Sequence, residues 1–278
     1  MIKQIKQMVE EDIGFGDITT YALIDKSKIA KGKLISKENG VIAGVSIVKE
    51  VLEDYHINIK TSKEDGELVK QGDTIFEIKG SALEILKLER TILNLLMRMS
   101  GIATITNNLS KEVSTENPNI KIAGTRKTAP GLSKFDNLAI TIGGGDSHRF
   151  RLDDMVLIKD NHISVVGSVE EAVKIAKEKV SFTKKIEVEV ENKEDALKVA
   201  KLGVDIVMLD NMSVNEIKDT ISIVKKKGLR DNVIIEASGG IKPENILEYS
   251  KTGVDIISLG FITHSVKSLD LSLNLEIE

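Results

Sequence analysis

Hydrophobic and polar positions change their period three times along this chain. Residues 10–20, EEDIGFGDITT, read as a helix end, a turn and a threonine-rich segment. From 31 to 79 the stretches KGKLISKENGVIAG, YHINIKT and DTIFEIKG alternate or run β-branched between Gly and Asp turns. They predict strands around one helix-like piece, SIVKEVLED. Residues 81–113 place Leu83, Leu86, Ile92, Leu95, Leu96 and Met99 at helical spacing, and Ser100-Gly101 predicts a break into two helices. Beyond 120 the pattern becomes strand-then-helix. The candidate strands are KIAG (121–124), MVLIK (155–159), IEVEV (186–190), DIVML (205–209), VIIEA (233–237) and DIISL (255–259). KLGVDIVMLDN (201–211) and KTGVDIISLGF (251–261) repeat K-x-G-V-D-I. A βα unit used twice predicts a (β/α) barrel. A doubly wound sheet is the alternative, but its G-x-G-x-x-G turn after the first strand is absent.

In such a barrel the chemistry stands at the C-terminal ends of the strands. MVLIK ends in Lys159, followed by Asp160-Asn161-His162, and DIVML runs into Asp210-Asn211. Alternation puts Glu187, Glu189 and Glu191 on one face of IEVEVEN and valines on the other. Charged side chains there need partners, because an unpaired buried charge is costly. A hard cation such as Mg2+ between Glu189 and Asp210 would satisfy both, and so would the neighbouring Lys and Arg. VIIEA runs into Ser238-Gly239-Gly240, and DIISL into Gly260. Backbone N–H groups in these glycine turns are suited to cradle a phosphate.

Composition sharpens one point. Of 39 basic residues six are arginine, and five of those fall between Arg90 and Arg151: Arg90, Arg98, Arg126, Arg149 and Arg151. A chain that otherwise uses lysine needs those planar forks for carboxylates, for phosphates, or for buried ion pairs. Two cationic pairs, Arg126-Lys127 in GTRKTAPG and His148-Arg149 in GGGDSHRF, sit in glycine-flanked segments that invite an anion. His148 reads as a ligand contact and His56 as structural, while His162 and His264 stay open. The net charge of −4 argues against a nucleic-acid protein that relies on bulk basicity. No cysteine is present, and no apolar run predicts a signal peptide or a membrane span. A reducing, cytoplasmic setting is the expectation.

Several motifs together resemble the quinolinate phosphoribosyltransferase family: EDIGFGDITT, LERTILNLLMRMSGIAT, GTRKTAPGLSKFD, GGGDSHRFRLDDMVLIKDNHI, EVEVEN, VMLDN, ASGGI and GVDIISLG. The likeness runs from about residue 9 to 270. It implies an α/β fold with an N-terminal α/β sandwich domain (1–112, joined by 266–278) and a C-terminal open (β/α) barrel of the type II phosphoribosyltransferase kind (113–265). It implies transfer of phosphoribosyl from phosphoribosyl pyrophosphate to quinolinate, with decarboxylation, giving nicotinate mononucleotide, pyrophosphate and CO2 in de novo NAD synthesis. Mg2+ is the implied cofactor and a homodimer the implied assembly, with neither nucleic acid nor membrane as partner. Carried over, Arg126, His148 and Arg149 hold the two quinolinate carboxylates, and Thr125 is a further substrate-binding residue. Lys127 and Lys159 stand at the junction of quinolinate and phosphoribosyl, and Glu189 and Asp210 near ribose and Mg2+. Ser238, Gly239, Gly240 and Gly260 form the phosphate turns, and Arg90 reaches the site from the partner subunit. After His148-Arg149 the family commonly has a small residue, whereas this chain has Phe150-Arg151-Leu152, which bears on acceptor preference. A rival reading keeps the fold and the donor but makes nicotinate the acceptor. Another takes residues 39–80 for a lipoyl-type carrier hairpin, yet no modifiable lysine stands at a hairpin tip.

Overall fold

The computed structural model describes residues 1–277. In chain order the elements are α1 (Ile2–Ile13), α2 (Ile18–Leu23), β1 (Ile29–Ser36), β2 (Gly40–Val41), α3 (Val45–Asp54), β3 (Asn58–Thr61), β4 (Leu68–Val69), β5 (Thr74–Ser81), α4 (Ala82–Ser114), β6 (Lys121–Ala123), α5 (Ser133–Ile142) and β7 (Val156–Ile158). Then follow α6 (Asp160–Val166), α7 (Val169–Lys179), β8 (Ile186–Val190), α8 (Lys193–Lys201), β9 (Ile206–Asp210), α9 (Val214–Lys226), β10 (Ile234–Ser238), α10 (Ile246–Ser250), β11 (Ile256–Ser258), α11 (Phe261–His264) and β12 (Leu271–Ile277). The chain divides into two compact units: 1–107 with 129–144 and 265–277, and 108–128 with 145–264. The expected division crosses at 112/113 and 265/266; here residues 129–144 also return to the first unit. Residues 129–144 join the first unit because α5 buries Phe135, Ala139 and Ile140, and its fully buried Asp136 takes a bidentate ion pair from Arg98, both contacts at 2.8 Å.

The first unit is an antiparallel sheet ordered β12-β1-β5-β3, with helices. On β1 alternation buries Ala30, Gly32, Leu34 and Ser36 and exposes Lys31 and Lys33. Seven consecutive register pairs, Ala30↔Ile277 to Ser36↔Leu271, bring the C-terminal strand into this sheet. Asp17 caps α2 by accepting from the Thr20 N–H at 2.9 Å, so the threonine-rich segment is helical. One expectation is corrected. Residues 82–114 form a single helix with no break at Ser100-Gly101. Gly101 is there for tertiary reasons: a Cβ on it would lie 2.1 Å from the carbonyl oxygen of Lys267.

The second unit is a six-stranded parallel sheet ordered β6-β11-β10-β9-β8-β7, with helices between strands. It is the expected open barrel: β6 and β7 remain as its two edges, and all six predicted strands form. Helix starts are well marked, with Ser168, Asn192 and Ser213 capping α7, α8 and α9.

Replacing Gly101 by alanine separates local from tertiary causes. Helix propensity alone favours alanine by about 1 kcal/mol. Overpacking against the Lys267 backbone costs about 1–3 kcal/mol or more. The expected result is a net loss of stability in urea denaturation; a gain would show that the backbone at 267–268 yields freely.

Candidate active site

Parallel register assembles the site. Leu157 pairs with Glu187, Glu189 with Met208, Met208 with Glu236, and Asp210 with Ser238. With a side-chain period of two, these residues share one face of the sheet; Ser258 on β11 and Lys159, just past the end of β7, fall in the same phase. Leu157, Lys159, Glu189, Met208, Asp210, Glu236, Ser238 and Ser258 line one cavity of about 320 Å³, together with Gly124, Thr125, Arg126, Lys127, His148 and Arg149. That size suits a small polar ligand.

The two cationic segments are neighbours because Asp146 bridges the edge strand β6. Ala123 bridges Asp146 in parallel; the Gly124 N–H donates to the Asp146 carbonyl, and the Asp146 N–H to the Ile122 carbonyl, both at 2.8 Å. Burial pushes the Arg149 guanidinium down, and the nearby Arg126 charge pushes it further down. Like charges held this close call for an anion between them. Thr125 accepts from the Lys127 N–H at 3.2 Å, and Thr263 donates to the Lys127 carbonyl at 2.8 Å. A Cβ on Gly260 would sit 3.3 Å from the Lys127 side chain, so glycine leaves that lysine room.

Across the cavity the Lys159 ammonium pairs with Glu189. Asp210 accepts from the Asn211 amide at 2.6 Å. Asn211 has φ of 55°, and its N–H donates to the Ser238 carbonyl at 2.9 Å. Gly239, at φ 82°, has no room for a Cβ, which would meet Asn211 Oδ1 at 2.3 Å. Asn211 thus ties the end of β9 to the glycine turn after β10.

Sequence reasoning missed the deepest group. Glu236 stands inside the apolar strand VIIEA, and an acid in such a run was the available signal. Glu187 and Glu236 are both fully buried, and His148 Nε2 lies 3.3 Å from one Oε2 and 3.2 Å from the other. Burial pushes the His148 pKa down, but the two carboxylates outweigh it and raise it to about 10. Burial pushes the Glu187 carboxyl up. The ligand atoms of this trio lie within 4.8 Å of one another. An imidazole held as a cation by two acids is not a free metal ligand.

Other expectations sort as follows. Ser238 lines the cavity, while Gly239 and Gly240, at φ 82° and 65°, form the turn that follows. Arg90 is exposed on α4 and is not among the cavity-lining residues. Arg98 belongs to a structural ion pair, and Glu191 is exposed beyond the end of β8. His162 accepts the Lys159 N–H at 3.0 Å and so caps α6. Arg151 is exposed and does not line the cavity; its N–H, with that of Phe150, donates to Asp154, at 3.0 and 2.6 Å.

Comparison with known proteins agrees over nearly the whole chain. Residues 17–100 match the family model for the N-terminal domain of quinolinate phosphoribosyl transferase, and residues 102–274 match that for its C-terminal domain. The probable nicotinate-nucleotide pyrophosphorylase (carboxylating) of Methanothermobacter thermautotrophicus is 50% identical over 275 residues, spanning 99% of each chain. Its namesake in Bacillus subtilis is 39% identical, spanning 98% of this chain and 93% of its own. The crystal structure of NadC from Streptococcus pyogenes superposes with a TM-score of 0.91 at 38% identity, covering 99% of this chain and 96% of that one.

His148 makes stability depend on pH with a definite sign. Its folded pKa is raised from 6.5 to about 10, so its contribution is full below about pH 6.5 and lost as pH rises through about 10. The raised Glu187 acts in the same direction. Urea midpoints are expected to fall across that window, and the Glu187→Gln, Glu236→Gln double variant should lose this slope.

Proposed function

The chain belongs to the quinolinate phosphoribosyl transferase family, and from that premise we propose that it makes nicotinate mononucleotide, pyrophosphate and CO2 from quinolinate and phosphoribosyl pyrophosphate, in the cytoplasm and as a homodimer. One observation carries this reading. Four cations, Arg126, Lys127, Arg149 and Lys159, converge on one cavity whose far side holds Glu189, Asp210 and a glycine turn. A pyridine dicarboxylate and a phosphorylated, pyrophosphorylated ribose supply the charges that such a cavity leaves unmet.

In this reading Arg126 and Arg149 grip the two carboxylates of quinolinate, with Thr125 and His148 at the edge of the acceptor. Lys127 and Lys159 sit where acceptor and ribose meet. The glycine turns at 238–240 and 260 receive the 5′-phosphate through backbone N–H groups. The pyridine nitrogen attacks the anomeric carbon as its bond to pyrophosphate oxygen breaks, so no enzyme nucleophile is required. Glu189 and Asp210 favour the positive charge that develops on the ribose ring. Loss of CO2 from the 2-carboxylate leaves its electron pair at C2, next to the cationic nitrogen, and that carbon then takes a proton. The protein contributes orientation and a cationic, water-poor pocket.

Glu189 and Asp210 fit Mg2+ by donor chemistry, being carboxylates at neighbouring strand ends beside the cavity. When bound there, Mg2+ would neutralise pyrophosphate charge and help it leave. Lys159 pairs with Glu189 on the same side of the cavity. Two features support a dimer. The segment 15–23 exposes Phe15, Ile18, Tyr21 and Leu23. Arg90, an arginine in a lysine-rich chain, is spent on an exposed site outside this chain's own cavity.

The test is turnover with phosphoribosyl pyrophosphate and Mg2+, offering quinolinate or nicotinate separately. Product and CO2 from quinolinate alone are expected; product from nicotinate alone would overturn the acceptor. Arg126→Ala and Lys159→Ala should each lower kcat/KM by about 10²-fold or more. The stability of Arg126→Ala should stay within about 0.5 kcal/mol, as expected for an exposed side chain, whereas Lys159→Ala also unpairs Glu189 and is compared at a temperature where circular dichroism shows it folded. Mixing Arg90→Ala with Lys159→Ala chains should restore activity that neither has alone. Absence of such complementation would remove Arg90 from the partner's site.

A further inference from the structure

Glu187 and Glu236 raise a physical difficulty. They place two fully buried carboxylates beside a cavity built for anions. Neither can be screened by solvent, and one imidazole nitrogen cannot satisfy both. Both oxygens of Glu187 and Oε1 of Glu236 have no hydrogen-bond partner among the described residues. A buried acid short of partners calls for a reason. What the acids face is a single atom, His148 Nε2, at 3.3 and 3.2 Å.

His148 is constrained from its other side too. It takes φ of 56°, a left-handed conformation that side chains bearing a Cβ rarely adopt, and its N–H donates to Asp146 Oδ1 at 2.8 Å. Loop and acid pair together fix the ring. An imidazole nitrogen facing two carboxylates carries a proton, so Nε2 is a donor. Nδ1 is the nitrogen left for a ligand in the cavity that His148 lines.

We propose that Glu187 and Glu236 are positioning residues for the reaction: by engaging Nε2 they fix the His148 ring so that Nδ1 offers its proton to a carboxylate of the pyridine diacid. This rests on the reading of His148 as a contact to the acceptor. The acid pair makes the ring a cation, as its raised pKa agrees, and the cation in turn screens the substrate from the acids. The pair therefore acts on the acceptor and not on the phosphoribosyl donor.

The experiment measures KM for each substrate in Glu187→Gln, Glu236→Gln, His148→Gln and the combinations of each Glu variant with His148→Gln. Each Glu variant is expected to raise KM for quinolinate about tenfold and to change KM for phosphoribosyl pyrophosphate less than about twofold. In the His148→Gln background neither Glu change should add a further loss. Equal rises in both KM values, or losses that add to that of His148→Gln, would overturn the proposal. If His148→Gln raises KM for quinolinate and the Glu variants do not, the proposal fails while the reading of His148 stands. If His148→Gln leaves that KM unmoved, both fail. Should the Glu variants not fold, wild-type protein with 15N-labelled imidazole rings gives a second test. Quinolinate should shift the Nδ1 resonance of His148 and leave Nε2 in place, and the reverse pattern would overturn the proposal.

Discussion

Strand alternation in a parallel sheet is the constraint from which the rest of this site follows. Every second residue on β8, β9 and β10 must face the same way, and the register brings Glu189, Met208 and Glu236 level with one another. The opposite phase carries Val188, Val207, Leu209, Ile235 and Ala237, all buried. Polar and apolar phases cannot exchange without a register slip that would expose one set and bury the other. The same pattern that makes a core therefore also gathers acids and a lysine at the strand ends.

Gathering charge creates the next problem, which is compensation. Burying one unpaired carboxylate costs several kcal/mol on the order of magnitude of ion desolvation. The chain answers at each depth with a cation: His148 for Glu187 and Glu236, and Lys159 for Glu189. Among the described residues Arg126 and Arg149 make no ion pair at contact distance; Glu187 and Asp154 act on Arg149 only from further off, and the two arginines oppose each other. The surplus of positive charge is thus confined to the part of the cavity beside the 124–127 and 148–149 loops, and it is there that substrate carboxylates have most to gain.

Much of this was legible in the sequence, for reasons that can be stated. All six parallel strands formed where β-branched runs were bounded by turns, and the cationic pairs were visible because glycine flanked them. What failed had tertiary causes. Gly101 looked like a helix break, but it is a groove for the Lys267 carbonyl. Arg98 was open between an anion site and a buried ion pair, and it belongs to Asp136, thirty-eight residues away. His162 looked like a possible ligand, but it closes the first turn of α6. Glu236 escaped notice because its partner, His148, lies 88 residues distant. Local pattern shows which residues are unusual; it does not show which unusual residues meet.

Asn211 shows how far such meetings constrain sequence. Its side chain steadies Asp210, its N–H holds the Ser238 carbonyl, and its left-handed backbone makes both possible from one position. Asparagine tolerates that conformation better than most residues with a Cβ. The amide then occupies the space that a side chain at 239 would need. Gly239 is accordingly fixed by two independent demands, its own positive φ and its neighbour's amide, in addition to any phosphate it receives. The acid at the end of β9 and the turn at the end of β10 form one mechanical unit, so ribose and phosphate would be held in a mutual geometry that neither element sets alone.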